Sequence, residues 1–284
     1  MRFLVAESEP GQARDRRRAS VGRSSGETFR DLLLSLAPGA HVDRVMPVDG
    51  DGQALGVDVV RGYDAVFITG SPIHLYEDSA EARSVIRFMR GVFESGTPSF
   101  GSCAGLQVAA AAAGGVVRHM DGRREAGFAR RITPTDRGRD HPLLAGRPPA
   151  WDAISVHTDE VEALPEGGTP LATNGVTAIQ AAEIRVGSGV FWGVQYHPEL
   201  SLEEAAAALR RQVPDIVESG LARNEAEVEI QAALVDALAR EPDRADLRWR
   251  LGLDAEVADR RRRTVEIRNF VEHLVKPIMA ERGR

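Results

Sequence analysis

The sequence predicts an α/β fold, a doubly wound and mostly parallel sheet with helices on both faces. Three observations carry this reading. Short apolar runs alternate with segments of helical period from Phe3 to Gly115. One run, Tyr63 to Thr69, is continuously apolar rather than alternating, as expected of a parallel strand buried on both faces. With 284 residues of which 43% are apolar and 27% charged, the chain can bury one large core, with room for an appendage.

Taken in order, Phe3 to Ala6 reads as the first strand, and Glu7 to Gly26 as a polar, arginine-rich loop. Glu27 to Leu36 has helical spacing (Phe29, Leu32, Leu33, Leu36) and stops at Pro38-Gly39. His41 to Val48 alternates like a second strand. Tyr63 to Thr69 is a third, running into Gly70-Ser71-Pro72. Ala80 to Phe93 is a helix, Thr97 to Ser102 a short strand, and Ala104 to Ala113 a strongly apolar helix closed by Gly114-Gly115. The middle section changes style. Gly127 to Pro134, Trp151 to His157, Thr169 to Ala172, Ala178 to Ile184 and Val190 to Val194 are short strands, with a hairpin turn at Gly187-Ser188-Gly189. After Pro198 the period is helical again, over Leu202 to Val213, Glu225 to Ala239 and Thr264 to Met279, with Asp259 to Arg263 a charged connection.

Composition narrows the function. The formal net charge is -6, from 36 basic and 42 acidic side chains, which argues against nucleic acid or an anionic membrane as partner. Arg14, Arg16, Arg17, Arg18 and Arg23 read either as contacts for an anionic substrate or a synthetase or as a solvated loop, and Arg260 to Arg263 as a solvated helix end. A single cysteine, Cys103, excludes an intramolecular disulfide and leaves no cysteine pair for structural zinc. The opening stretch reads as neither a signal nor a transit peptide, and no run approaches a membrane span, so the expectation is a reduced, cytoplasmic protein. No metal and no cofactor is expected.

The chemistry gathers around Cys103, in Gly101-Ser102-Cys103-Ala104-Gly105-Leu106-Gln107. A strand meets a helix there, and a glycine stands two residues to either side. Such a turn strains the nucleophile, exposes its sulfur and sets it at a helix N-terminus, where the dipole favours thiolate. A lone cysteine is most often a small buried apolar group; the paired glycines at a strand-to-helix junction argue for a nucleophile instead. A cysteine nucleophile needs a base and a group to orient that base. His197, after an apolar strand in Gln195-Tyr196-His197-Pro198-Glu199, is the candidate base, and Glu199 can reach back to its imidazole. The N–H groups of Ala104 and Ser71 are the candidate oxyanion donors.

These stretches carry a resemblance. Gly101 to Gln107, Gln195 to Glu199 and Gly70-Ser71-Pro72, supported by Arg124 to Gly127, Val156 to Val161 and Ala178 to Glu183, are similar to the class I (triad) glutamine amidotransferases. The likeness is to the amidotransferase domain of GMP synthase and its stand-alone relatives, over residues 1 to about 200. It implies a flavodoxin-like domain with a nucleophile elbow and a Cys103–His197–Glu199 triad, with Ser71 and Ala104 as oxyanion donors. Gly70, Gln107, Val156 and His157 are then the substrate-binding positions. The sequence departs from the family pattern in having Val156 where serine is frequent, Thr158 where glycine is, and the small Ala104 where an aromatic residue is common. Residues 1–200 are read as the amidotransferase-like domain, 201–263 as a helical insertion, and 264–284 as the terminal helix returning to the domain.

The resemblance implies cleavage of the glutamine side-chain amide through a γ-glutamyl thioester. Ammonia would pass to a separate synthetase subunit, since no synthetase signature is present. A second reading is a stand-alone hydrolase of γ-glutamyl peptides or γ-glutamyl amines, and a third is a catalytically silent regulatory subunit. The substrate is thus L-glutamine or another γ-glutamyl compound; the oligomeric state is left open.

Overall fold

The computed structural model describes residues 1–49, 55–122 and 124–283. Strand β1 (Arg2–Ala6) leads into helices α1 (Gly11–Val21) and α2 (Ser25–Leu36), then strand β2 (His41–Val45). Helix α3 (Val57–Arg61), strand β3 (Ala65–Ile68), helix α4 (Ala80–Ser95), strand β4 (Ser99–Ser102) and helix α5 (Ala104–Ala112) follow. Seven strands come next: β5 (Val116–His119), β6 (Glu125–Pro134), β7 (Trp151–His157), β8 (Asp159–Ala163), β9 (Gly168–Thr173), β10 (Ala181–Val186) and β11 (Gly189–Val194). The chain closes with α6 (Leu202–Arg211), α7 (Val213–Glu218), α8 (Glu225–Arg240), α9 (Ala245–Leu251) and further short helices, of which Val265–Phe270 opens the terminal one.

One nine-stranded sheet runs in the order β2-β1-β3-β4-β11-β10-β9-β6-β7. The first five strands are all parallel, and the remainder pair antiparallel. The parallel half has the doubly wound order, with its switch point between β1 and β3. Its two faces follow from the two-residue alternation of strands. Phe3 and Val5 of β1 point into one core with Phe67, Phe100 and Trp192, while Leu4 and Ala6 point into the other with Val66, Ile68 and Leu106. The terminal helix seals the first core: Phe270 packs edge-on against Phe67, with ring centroids 5.4 Å apart.

Helices α6 to α9 form a third apolar cluster, in which Leu209, Val228, Ala232, Val235 and Leu238 meet Phe128 of β6 and Ile154 of β7. This group of helices therefore packs on the antiparallel end of the sheet. The short helices that follow are tied to the domain by a polar, buried cluster. Arg147 donates to Glu256 at 2.8 Å and to both oxygens of Glu266, at 2.7 and 2.8 Å, and Tyr196 Oη donates to the same Glu266 at 2.7 Å.

The segment Glu7 to Gly26, expected as a loop, contains helix α1 and the start of α2. Gln, Ala and Arg are good helix formers, but α1 buries no residue, so the apolar period that announces a helix is missing. Its contacts are ionic: Arg14 with Asp49, Arg17 with Glu204 at 2.9 Å, and Arg18 with Glu27 at 2.9 Å. Helix α2 begins as its sequence prescribes, with Ser24 and Glu27 forming a reciprocal capping box. The charged connection Asp259 to Arg263 holds a short helix, Arg260–Arg263, capped by Asp259. Helix α3 and the ribbon of β5 with β8 went unforeseen. Among the described residues no helix is long and apolar enough to cross a membrane.

Candidate active site

Three adjacent parallel strands, β3, β4 and β11, end at the same edge of the sheet and deliver Gly70-Ser71, Cys103 and His197 to one place. Their carboxyl ends are where open α/β sheets place their sites. Cys103 follows β4 directly with φ 54° and ψ −113°, a strained conformation for a residue with a side chain. Its N–H is tied to Val194 O of β11 at 2.8 Å, which fixes the turn. Both flanking glycines are required by packing. A Cβ on Gly101 would lie 2.8 Å from the backbone carbon of Gly105, and one on Gly105 would lie 2.5 Å from Ile68 O. Helix α5 and strands β3 and β4 approach closely because these two side chains are absent.

Cys103 is 7% exposed, and its sulfur lies 3.9 Å from Val156 O. The His197 ring stands close enough to feel the charge of the sulfur, and its Nδ1 contacts Glu199 Oε1 at 2.7 Å. The same Glu199 oxygen accepts from Ser102 Oγ at 2.9 Å, so the residue before the cysteine helps to hold the carboxylate. Burial works against a charged His197, but the negative charges of Glu199 and of the Cys103 sulfur outweigh it and push its pKa up to about 10. At neutral pH the ring is thus held as an imidazolium.

Gly70 stands against the back of this imidazole, where a Cβ would meet His197 Cε1 at 2.9 Å. Gly70→Ala should therefore turn the ring away from the sulfur and lower kcat by about 10- to 100-fold with little change in thermal stability. Steady-state kinetics beside a melting curve would check this, and an unchanged kcat would remove Gly70 from the site.

Ser71, Gln107, Val156 and His157 line the same cavity, of about 360 Å³, while Ala104 lies buried next to Cys103 in the chain. Ala104, the first residue of α5, offers an N–H with no partner inside its helix. Ser71 sits on the opposite side, its hydroxyl donating to Ser8 O at 2.8 Å and so fixing the loop. Gln107 donates Nε2 to Asp159 O at 2.9 Å and is held by Gln195 Oε1 at 3.2 Å. His157 has both ring nitrogens engaged, Nε2 with Glu125 Oε2 at 2.8 Å and Nδ1 with Asp159 O at 2.9 Å. Glu125 is the hub of that buried network. Burial alone would raise its pKa, but hydrogen bonds from His157, Asn174 and Gln180 outweigh it and hold the carboxyl below its usual range.

Sequence reasoning gives no role to Ser102, Glu125, Asp159 or Arg124, and of the cavity walls it offers only the arginines of Glu7 to Gly26, as contacts for an anionic substrate or a synthetase. Helix α1 contributes Arg16 and Arg17, and α6 with α7 contributes Arg211, Gln212 and Asp215. The only available signal was the presence of Arg124, Glu125 and Asp159 in the stretches that carry the resemblance.

Comparison with known proteins agrees with this geometry. A family model described as glutamine amidotransferase class-I matches residues 40–214. A Pseudomonas protein described as gamma-glutamyl-L-1-hydroxyisopropylamide hydrolase is 34% identical over 282 residues, 98% of this chain and 94% of that one. The glutamine-hydrolysing GMP synthase of Thermomicrobium roseum is 32% identical over 179 residues, 62% of this chain but only 30% of the synthase. Among solved structures, a glutamine amidotransferase from Thermotoga maritima superposes with a TM-score of 0.62 at 17% identity, covering 97% of this chain and 98% of its own.

Proposed function

The chain belongs to the class I glutamine amidotransferase family, and we propose that it hydrolyses the amide bond of a γ-glutamyl amine whose leaving group is larger than ammonia. The observation that carries the chemistry is a strained Cys103 paired with an imidazolium that Glu199 holds in place. Two further features support the size of the leaving group. The cavity at the sulfur has about 360 Å³ and is walled by helices from both ends of the chain, and the relative that matches almost end to end is named for a hydroxyalkyl amide of γ-glutamate.

In this reading the Cys103 thiolate adds to the γ-carbonyl carbon, and the carbonyl electrons move onto oxygen, facing the N–H groups of Ala104 and Ser71. His197 gives its Nε2 proton to the departing nitrogen as the C–N bond breaks, leaving a γ-glutamyl thioester and a free amine. Water then attacks the thioester while His197 takes a proton from it. Glutamate leaves, and thiolate and imidazolium are restored. Glu199 orients the ring. Gly70, Val156 and Gln107 shape the wall beside the glutamyl chain, and His157 braces it through Glu125.

A second reading, glutamine hydrolysis with ammonia passed to a separate synthetase, draws on the GMP synthase relatives, which match over the amidotransferase part of the chain. The test is amine and glutamate release by the purified chain alone, from L-glutamine and from its γ-ethylamide. We expect the ethylamide to be favoured in kcat/KM by at least about 10-fold, on the order of what one or two extra methylene contacts give. Preference for glutamine would favour the second reading, and Cys103-independent release from either would sink both.

A further inference from the structure

Arg124 lines the cavity that holds the Cys103 sulfur, and its side chain is only 5% exposed. A guanidinium so deeply buried is ordinarily matched to a buried carboxylate, because an unpaired charge is costly to desolvate. Arg124 has no such match. Its Nη2 donates to the neutral amide oxygen of Gln212, its Nη1 lies 3.8 Å from the well-exposed Asp215, and among the described residues its Nε has no partner. Burial accordingly pulls its pKa below that of a free arginine, with Asp215 only partly opposing this.

The carboxylates elsewhere around the cavity are already engaged. Asp159 is held by His74 at 2.7 Å and His119 at 3.2 Å, and Glu9 accepts from the N–H of Ser25 at 3.3 Å. Arg124 is thus a charge-assisted donor left short of an anion, in the same cavity as the nucleophile.

We propose that Arg124 is a specificity-determining residue that receives a carboxylate of the substrate, so that the enzyme selects amides carrying an anionic group beside the scissile bond. A planar guanidinium held by Gln212 from one side presents its remaining N–H groups to a carboxylate in the fork geometry that arginine favours. This rests on the γ-glutamyl reading above. Two carboxylates could supply the anion, the α-carboxylate of the glutamyl group or one on the leaving amine.

The experiment uses the purified full chain, as wild type, R124K and R124Q, each checked by circular dichroism. Three substrates separate the sources: L-glutamate γ-ethylamide, γ-L-glutamylglycine, and 4-amino-N-ethylbutanamide, which lacks the α-carboxylate. We expect R124Q to lower kcat/KM on carboxylate-bearing substrates by about 10- to 100-fold, chiefly through KM, with R124K intermediate. A loss on both glutamyl substrates that spares the butanamide assigns the α-carboxylate. A loss confined to γ-glutamylglycine assigns the leaving group. An equal loss on all three would overturn the proposal and leave Arg124 a structural residue. Should R124Q fail to fold, wild type that hydrolyses the butanamide as well as the ethylamide, and γ-glutamylglycine no better than either, overturns it alone. Should folded wild type hydrolyse none of the three, the γ-glutamyl reading fails. The carboxylate is then read from the protection of Cys103 against iodoacetamide by L-glutamate over 4-aminobutyrate: protection supports the proposal, and its absence overturns it.

Discussion

Cys103→Ala should lower amide hydrolysis by at least about 10⁴-fold while leaving the melting temperature close to that of wild type. The size follows from the role. Without the sulfur no thioester forms, and what remains is binding plus the oxyanion donors. The fold is expected to survive because the strain at φ 54° belongs to a turn fixed by Gly101, Gly105 and the bond from Cys103 N to Val194 O, none of which uses the sulfur. His197→Ala should approach the same loss. Glu199→Ala should cost less, since among the described residues its carboxylate bonds only the ring and Ser102 Oγ. Single-turnover assays with each variant would rank them, and a Glu199 effect equal to that of His197 in a folded protein would refute the division of roles.

Arg147→Met should destabilise the protein by about 3–5 kcal/mol, read as a lowered urea midpoint. Arg147 is 2% exposed in its side chain, and its partners Glu266 and Glu256 are 0% and 6% exposed. Burial disfavours its charge, yet Glu266 more than compensates and holds the pKa above the ordinary arginine value. Removing the cation leaves two carboxylates buried without it, which is the costly way to break such a cluster. Pairing Arg147→Met with Glu266→Leu should recover part of the loss, although Tyr196 Oη then loses its acceptor. The two residues are in direct contact, so their effects are not additive. A single variant as stable as wild type would show that water reaches the cluster. Because Tyr196 precedes His197 in the chain, the same variant is expected to reduce kcat modestly.

The parallel half of the sheet was legible because its signals are contiguous. Ala65 to Ile68 is apolar throughout, and Cys103 carries its two glycines within two residues on each side. Cys103 and His197 were legible for the same reason, since each follows a strand that announces itself, and Glu199 stands two residues after His197. What escaped has distant or polar causes. Helix α1 lacks an apolar stripe. The β5–β8 ribbon pairs short segments rich in charge, with Arg118 bridging to Glu160 and Glu162 across it. Arg124 gains its meaning only when Gln212, 88 residues away, is folded over it.

Helix α1 has a further consequence. It forms part of the cavity wall with no apolar side chain anchoring it, so its attachment is a matter of counter-charges rather than of solvent exclusion. Such an attachment weakens as dissolved ions accumulate, whereas the sheet beneath does not. Helix α1 should therefore open at a smaller free-energy cost than the sheet beneath it, and ionic strength sets how often that side of the cavity breathes. The sulfur and its base stay preassembled on rigid strands throughout, so the molecule separates a permanent reaction centre from a salt-tuned doorway.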